Sequence, residues 1–385
     1  MLWMCFMSSV RTVLKTSFSD VHEQLPLTYH QYKVFNALMN CRTEKLGAHS
    51  NVCEDCGCSS IAYNSCRDRH CPLCQSFKRE KWRMDRNAEL LNVHYFHVVF
   101  TVPEELHELM FQNQSVLYTL LMKSSSKTLL ELAKNKKYLG ASLGLTAVLH
   151  TWGQTLSYHP HVHFIVPGGG LCPDSGVFKV SRKRFLIPVK VLSRVFRAIF
   201  LSELKALILA GKLYSGSSRS VLLELVNILY QKPFVVYAKE NFDSPSYVIK
   251  YLCQYTHRVA ISNHRILYSD ADKVVFSYKD YRDCGKKKVM TLSSTEFIRR
   301  FAMHILPLGF SKVRHYGFLA NCNKKSKLKR CQQLLRIIPS KKSSDYSTID
   351  FIKRFMDKDA FKCRVCKAKD VINAPLSTDA LLNSS

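Results

Sequence analysis

Apolar residues recur at two different periods along this chain, and the changes of period divide it into elements. Between Val21 and Leu46 the spacing of His30, Val34 and Leu38 is that of one helix face, predicting an amphipathic helix that leads into a cysteine-rich block. The segment VHYFHVVFTV, Val93 to Val102, reads as a strand, and Pro103 ends it because proline has no ladder N–H to donate. A helical stretch is expected over Glu104 to Lys134. Strands follow over Leu143 to Thr151 and His161 to Val166, the second closed by Pro167 and three glycines. Beyond these the pattern predicts a helix over Arg194 to Leu213 and a short strand over Phe234 to Tyr237. Another helix, Pro245 to Val259, is opened by Ser244 and a proline at its first position. Arg265 to Tyr268 and Lys273 to Tyr278 are expected to pair as a hairpin. The fold class implied is α+β: an antiparallel sheet with helices, preceded by a small helical and cysteine-rich module.

Three segments are expected: a helical and cysteine-rich module over 1–90, a sheet domain over 91–320, and a basic tail over 321–385. In that tail Lys324, Lys325, Lys327, Lys329 and Arg330 crowd together, and the end from Asp370 is expected to fray. Lys and Arg outnumber Asp and Glu by 57 to 29, a formal charge of +28, which favours a polyanionic partner through counterion release. Nucleic acid is the leading candidate. No apolar run approaches the roughly 18 residues of a membrane span, and Met1 to Val10 lacks the basic start of a signal peptide. The expectation is a cytoplasmic, nucleoid-associated protein, bacterial in origin, with no membrane partner.

In a reducing compartment fifteen cysteines point to metal before disulfides. Cys53-x-x-Cys56 and Cys71-x-x-Cys74 are two paired knuckles at a spacing close to that of four-cysteine zinc sites, and these four are expected to share one Zn²⁺. His49, Cys58, Cys66 and His70 lie in the same stretch as substitute ligands. Arg67, Arg69, Lys78, Arg79, Lys81, Arg83 and Arg86 make the module's surroundings basic. Cys363-x-x-Cys366 is a half-site with no obvious second pair beside it, Cys322 and Cys331 excepted.

In HPHVHFIVPGGG, His159 to Gly170, His161 and His163 share one strand face while Val162, Phe164 and Val166 share the other. Two imidazoles at i and i+2 can reach one divalent ion but need a third protein ligand, for which Gln154 or His159 is the nearest candidate. On the helix from Pro245, Tyr247, Tyr251 and Tyr255 recur every fourth residue and Arg258 continues the stripe. Val248, Leu252 and Val259 occupy the adjoining face. A tyrosine hydroxyl attacks a phosphodiester only when the phosphate is polarised, which a metal on the histidines can do. Arg258, Arg265, Arg299 and Arg300 are expected phosphate contacts.

The ordered segments NSCRDRHCPLCQ, HVVFTVP, HTWGQTLSYHPHVHFIVPGGG, YVIKYLCQYTHRVAISNHRI, EFIRRFAMHILPLGF and VRHYGFLAN resemble the two-tyrosine HUH transposases of rolling-circle insertion sequences, the insertion sequence ninety-one group, over roughly residues 26 to 330. The resemblance implies an HUH endonuclease-like core in which His161 and His163 hold Mg²⁺ or Mn²⁺. It also implies that Tyr251 and Tyr255 are paired nucleophiles, Tyr247 is structural and the cysteine block is a zinc-binding domain. It further implies that single-stranded DNA is nicked and rejoined through 5′-phosphotyrosine intermediates, at element-terminal DNA and with host replication proteins as partners. A plasmid or phage replication initiator and a catalytically inactive zinc-dependent DNA-binding protein are the alternatives. No GxxxxGK[ST] loop supports a built-in helicase of that type.

Overall fold

A computed structural model describes residues 9–182, 187–242, 247, 260–355, 362–363, 365–367 and 371–376. Helix α1 (Val10–Val21) starts where the Ser9 side chain accepts from the Thr12 N–H. Helix α2 (Tyr29–Met39) starts at a capping box between Thr28 and Gln31. The long helix expected over Val21 to Leu46 is therefore confined to its middle by this cap. Short 3₁₀ turns at His22–Gln24 and Glu44–Leu46 flank it. Strands β1 (Ala48–Cys53) and β2 (Ser59–Tyr63) form a hairpin, and α3 (Gln75–Asn87) follows the second knuckle.

Strand β3 (Tyr95–Thr101) is the one read from the sequence. The helical stretch after it breaks into α4 (His107–Gln112) and α5 (Gln114–Lys134) at Asn113. There the side-chain amide donates to the carbonyls of Leu109 and Tyr214, and its oxygen accepts from the Tyr214 N–H. Strands β4 (Gly144–Trp152) and β5 (Tyr158–Pro167), the small pair β6 (Gly169–Leu171) and β7 (Phe178–Val180), helices α6 (Val189–Leu209) and α7 (Arg219–Gln231), and strand β8 (Val236–Phe242) complete the first half. Next come β9 (Ile266–Ser269), β10 (Lys273–Asp280) and β11 (Lys286–Ser293), a meander in which the expected hairpin gains a third strand. Helix Ser294–Met303 and strand β12 (Val313–Gly317) follow.

The central sheet has the order β12-β4-β5-β3-β8 with every pairing antiparallel, an α+β architecture. Alternation along its strands gives two unlike faces. Phe96, Val98, Phe100, Leu145, Ala147, Leu149, Val162, Phe164 and Val166 form one face and are buried with the apolar stripes of α5, α6 and α7. The ring of Phe100 meets those of Phe164 and Phe196 at 5.6 Å and 4.9 Å between centroids. The opposite face is free of those helices. At its β4 end Trp152 and Leu156 join a second core built from α1, α2, β10 and helix Ser294–Met303, including Phe18, Phe35, Phe276, Phe297 and Phe301.

Contacts cross both expected segment borders. The basic stretch after Tyr316 packs back on α3: Lys324 pairs with Glu89 at 2.8 Å, the Gln332 amide donates to the Ala88 carbonyl, and Phe351 meets Phe77 edge-on. Of the end from Asp370 expected to fray, Val371–Leu376 instead forms β13, which pairs with β1 along its full length, and residues 370 and 377–385 lie outside the described residues. Among the described residues no helix is long and apolar enough to cross a membrane.

Gly317 closes β12 at φ +63°, and a Cβ there would overlap the Leu143 carbonyl oxygen at the end of β4. Gly317→Ala is expected to lower stability by at least about 2 kcal/mol, read as a fall in Tm. An unchanged Tm would contradict this packing.

Candidate functional site

The β4–β5 register sets His150 directly opposite His161 and Val148 opposite His163, all on the helix-free face. One donor nitrogen from each of His150, His161 and His163 lies within 4.8 Å of the others. Three nitrogens about 2.1 Å from one ion stand ~3–3.5 Å apart, a spacing inside the 4.8 Å that bounds these three. His161 Nδ1 donates to the His159 carbonyl at 2.6 Å, so its Nε2 carries the lone pair. Burial pushes the His161 pKa down to about 4, keeping the ring neutral and able to ligate. His163 Nδ1 lies 2.8 Å from His97 Nε2, the two rings nearly parallel, and burial holds His97 near 4 as well. Trp152 stacks on His150 with ring centroids 4.6 Å apart. The third histidine of this cluster is His150, a residue the expectation of Gln154 or His159 did not include. Sequence spacing gave no sign of it, because the strand pairing that brings it to His161 spans the whole β4–β5 loop.

That loop, 153–157, is held by three donors on three successive carbonyls. Arg265 donates from Nη2 to Gln154 at 2.5 Å, Arg300 from Nη1 to Thr155 at 2.9 Å, and His304 Nε2 to Leu156 at 3.1 Å. Leu156 sits at φ +59°, a conformation a leucine keeps only when its surroundings impose it. Arg265 is 7% exposed and also donates from Nε to Ser277 O. Of the expected phosphate contacts, Arg265 is buried and Arg300 partly buried, and both are engaged here by loop carbonyls, which makes them clamps of this loop. Arg299 is bound bidentately to Glu296, which Arg300 also reaches. Tyr251, Tyr255 and Arg258 lie outside the described residues. Tyr247 is 65% exposed.

The four knuckle cysteines do not converge. Cys71 and Cys74 meet Cys41 and Cys66, with Sγ separations of 3.2 Å for Cys41–Cys74 and 3.6 Å for both Cys66–Cys74 and Cys41–Cys71. Cys53 and Cys56 instead meet Cys366 and Cys363, at 3.5 Å and 3.6 Å. Each set of four lies within 4.8 Å. Sulfurs about 2.3 Å from one zinc ion in a tetrahedron stand about 3.8 Å apart, so both sets match a four-thiolate site. The single site on Cys53, Cys56, Cys71 and Cys74 is corrected to two interleaved groups. Cys41 was missed because it belongs to no C-x-x-C pair. Thiols of Cys66 and Cys71 directed at Cys74 push its pKa far below the ordinary thiol value. His70, a considered substitute, is engaged by Asp68 at 2.9 Å and by the Leu306 N–H at 3.1 Å.

Residues 144–327 match a family model described as a putative transposase, and residues 13–102 match one described as a transposase zinc-binding domain. The chain is similar to the putative transposase y4qJ of Sinorhizobium fredii, 43% identical over 348 residues that cover 89% of this chain and 87% of that one. It is also similar to the transposase for insertion sequence element IS801 of Pseudomonas savastanoi pv. phaseolicola. There the identity is 27% over 344 residues, 88% of this chain and 82% of the relative. No solved structure matches the chain.

Arg265→Ala is expected to cost about 1.5–3 kcal/mol in denaturant unfolding, since it leaves carbonyls without a charged donor. A phosphate contact would instead leave stability unchanged. Arg299, then Arg300, hold the Glu296 carboxyl down from 4.5 to about 2. Because the folded value is depressed, this contribution is present above about pH 4.5 and is lost as pH falls towards 2. The pair is partly exposed, so solvent limits it to about 1 kcal/mol or less. Glu296→Gln should flatten the dependence of Tm on pH across that window, and an unchanged slope would contradict the pairing.

Proposed function

Because the chain belongs to the insertion sequence 91 (IS91) family of transposases, which carry an N-terminal zinc-binding domain, we propose that it nicks and rejoins single-stranded DNA at a metal-assisted tyrosine site. The observation that carries this reading is the convergence of His150, His161 and His163 on the helix-free face of the sheet. Their donor set, three imidazoles of which His161 is kept neutral by burial and oriented by a carbonyl and His163 is oriented by His97, suits a divalent ion that keeps open positions for substrate. When bound, Mg²⁺ or Mn²⁺ would supply Lewis-acid polarisation of the scissile phosphate.

Tyr251 and Tyr255 are the proposed nucleophiles. The segment that carries them follows Phe242, which pairs with Tyr95 on the β3 edge, and precedes Ala260, which lies beside Trp152 in the second core. In the proposed reaction one tyrosine Oη attacks phosphorus and the phosphorus–O3′ bond breaks. The leaving 3′-oxygen takes up a proton, and the phosphodiester energy is kept in a 5′-phosphotyrosine. A 3′-hydroxyl attacking that ester reverses the step and joins strands, and the second tyrosine allows a further transfer. The chain's excess of 57 basic over 29 acidic residues favours holding the strand through its phosphates. Element-terminal single strands are the proposed substrate and host replication proteins the proposed source of strand separation. The proposed structural Zn²⁺ of the N-terminal domain is held by Cys41, Cys66, Cys71 and Cys74.

Full-length protein incubated with Mn²⁺ and a labelled single-stranded oligonucleotide from the element's end is expected to give an adduct that survives denaturation. The adduct should be lost in Tyr251→Phe/Tyr255→Phe and in His161→Ala/His163→Ala. His150→Ala should slow adduct formation at least ~10-fold and raise the Mn²⁺ needed, while Gln154→Ala should behave as wild type. An undiminished adduct in the double tyrosine variant would overturn the proposal.

A further inference from the structure

The second cysteine group joins parts of the chain that are far apart in sequence. Cys53 and Cys366, 3.5 Å apart at Sγ, are separated by 313 residues, and Cys56 and Cys363, 3.6 Å apart, by 307. Cys363 and Cys366 lie beyond both segments that match family models. We propose that Cys53, Cys56, Cys363 and Cys366 bind a second zinc ion, which staples the C-terminal segment to the N-terminal hairpin.

Both halves have the local geometry of a zinc knuckle. In the first, the Gly57 N–H donates to the Cys53 carbonyl, the Cys53 N–H donates to Cys58 O, and Gly57 turns at φ +66°. In the second, the Lys367 N–H donates to the Cys363 carbonyl, Lys367 turns at φ +66°, and the Val365 N–H points at Cys363 Sγ at 3.4 Å. An N–H aimed at sulfur favours the thiolate, the form that ligates zinc. The equivalent turn in both halves, with a positive φ one residue beyond the second cysteine, brings each pair of sulfurs to the same side.

A second observation is independent of the sulfurs. β13 pairs with β1 from Ala48↔Leu376 to Cys53↔Val371, so the tail supplies the third strand of a sheet whose other member, β2, is exposed throughout. A two-stranded hairpin is marginal in water, and a third strand is what makes such a sheet stable. The register places the end of β1 at Cys53 opposite Val371, close to the second knuckle. Strand pairing and metal ligation therefore act on the same docking. The N-terminal hairpin is completed only once residues 363–376 are present, so a truncated chain would lack a finished module.

The test uses the full-length chain. Elemental analysis is expected to find two zinc ions per chain, falling to one in Cys363→Ser/Cys366→Ser. Differential alkylation of the wild type guards against a variant that does not fold. Cys56 and Cys366 are solvent-exposed, as are Cys284 and Cys322, which belong to no cysteine group. With zinc bound, Cys56 and Cys366 should resist alkylation while Cys284 and Cys322 react. A mild chelator should bring the first pair at least ~10-fold closer to the second in rate. One zinc in the wild type, two in the serine variant, or Cys366 reacting as fast as Cys284 before chelation would each overturn the proposal.

Discussion

The pairing of β4 with β5 is the constraint on which the site depends. It alone brings His150 across from His161, and a one-residue slip of β5 would send His161 and His163 to the helix-covered face while His150 stayed behind. The register is fixed from both sides. The buried row Leu145, Ala147, Leu149 against Val162, Phe164, Val166 resists a slip because it would place polar rings under α5 and α6. The 153–157 loop resists it because Arg265, Arg300 and His304 grip successive carbonyls. Those three donors come from the β9–β10 region and helix Ser294–Met303 with its cap, which rest on the second core with α1 and α2. The N-terminal helices thus support the geometry of a site to which they contribute no side chain.

Two cores therefore serve one sheet. The larger, under α5, α6 and α7, supplies bulk burial. The smaller fixes the loop and borders the open face. The interleaved cysteine groups extend the same logic outwards: one ties the end of α2 to the second knuckle, and the other ties β1 to the far end of the chain. With Lys324 on Glu89 and Phe351 on Phe77, the C-terminal segment is part of the N-terminal module's packing.

Much of this was legible before folding was considered. The strand carrying Phe100 announced itself by a strand-like run ended at Pro103, that carrying His163 by period-two alternation, and the shared face of His161 and His163 follows from that period. What local pattern cannot express is partnership at long range. His150 sits in a fully buried strand whose run of small and apolar residues gave no reason to single it out. Arg265 and Arg300 have the composition of phosphate contacts, and only the tertiary fold reveals their carbonyl acceptors on the 153–157 loop. C-x-x-C spacing correctly marked the knuckles but paired neighbours in sequence, whereas each knuckle finds its partners elsewhere, at Cys41 and Cys66 or at Cys363 and Cys366. Val371–Leu376 reads as part of a polar end because Asn373 and Pro375 interrupt its short apolar run and its partner strand β1 lies near the other end of the sequence.

The central claim is that three histidines from two paired strands form a divalent-metal centre. Anomalous diffraction at the manganese edge, from crystals of the full chain soaked in Mn²⁺, tests it directly. The account predicts one peak bonded to ring nitrogens of His150, His161 and His163. A peak held by Gln154 in place of His150, or no peak on this face of the sheet, would contradict it.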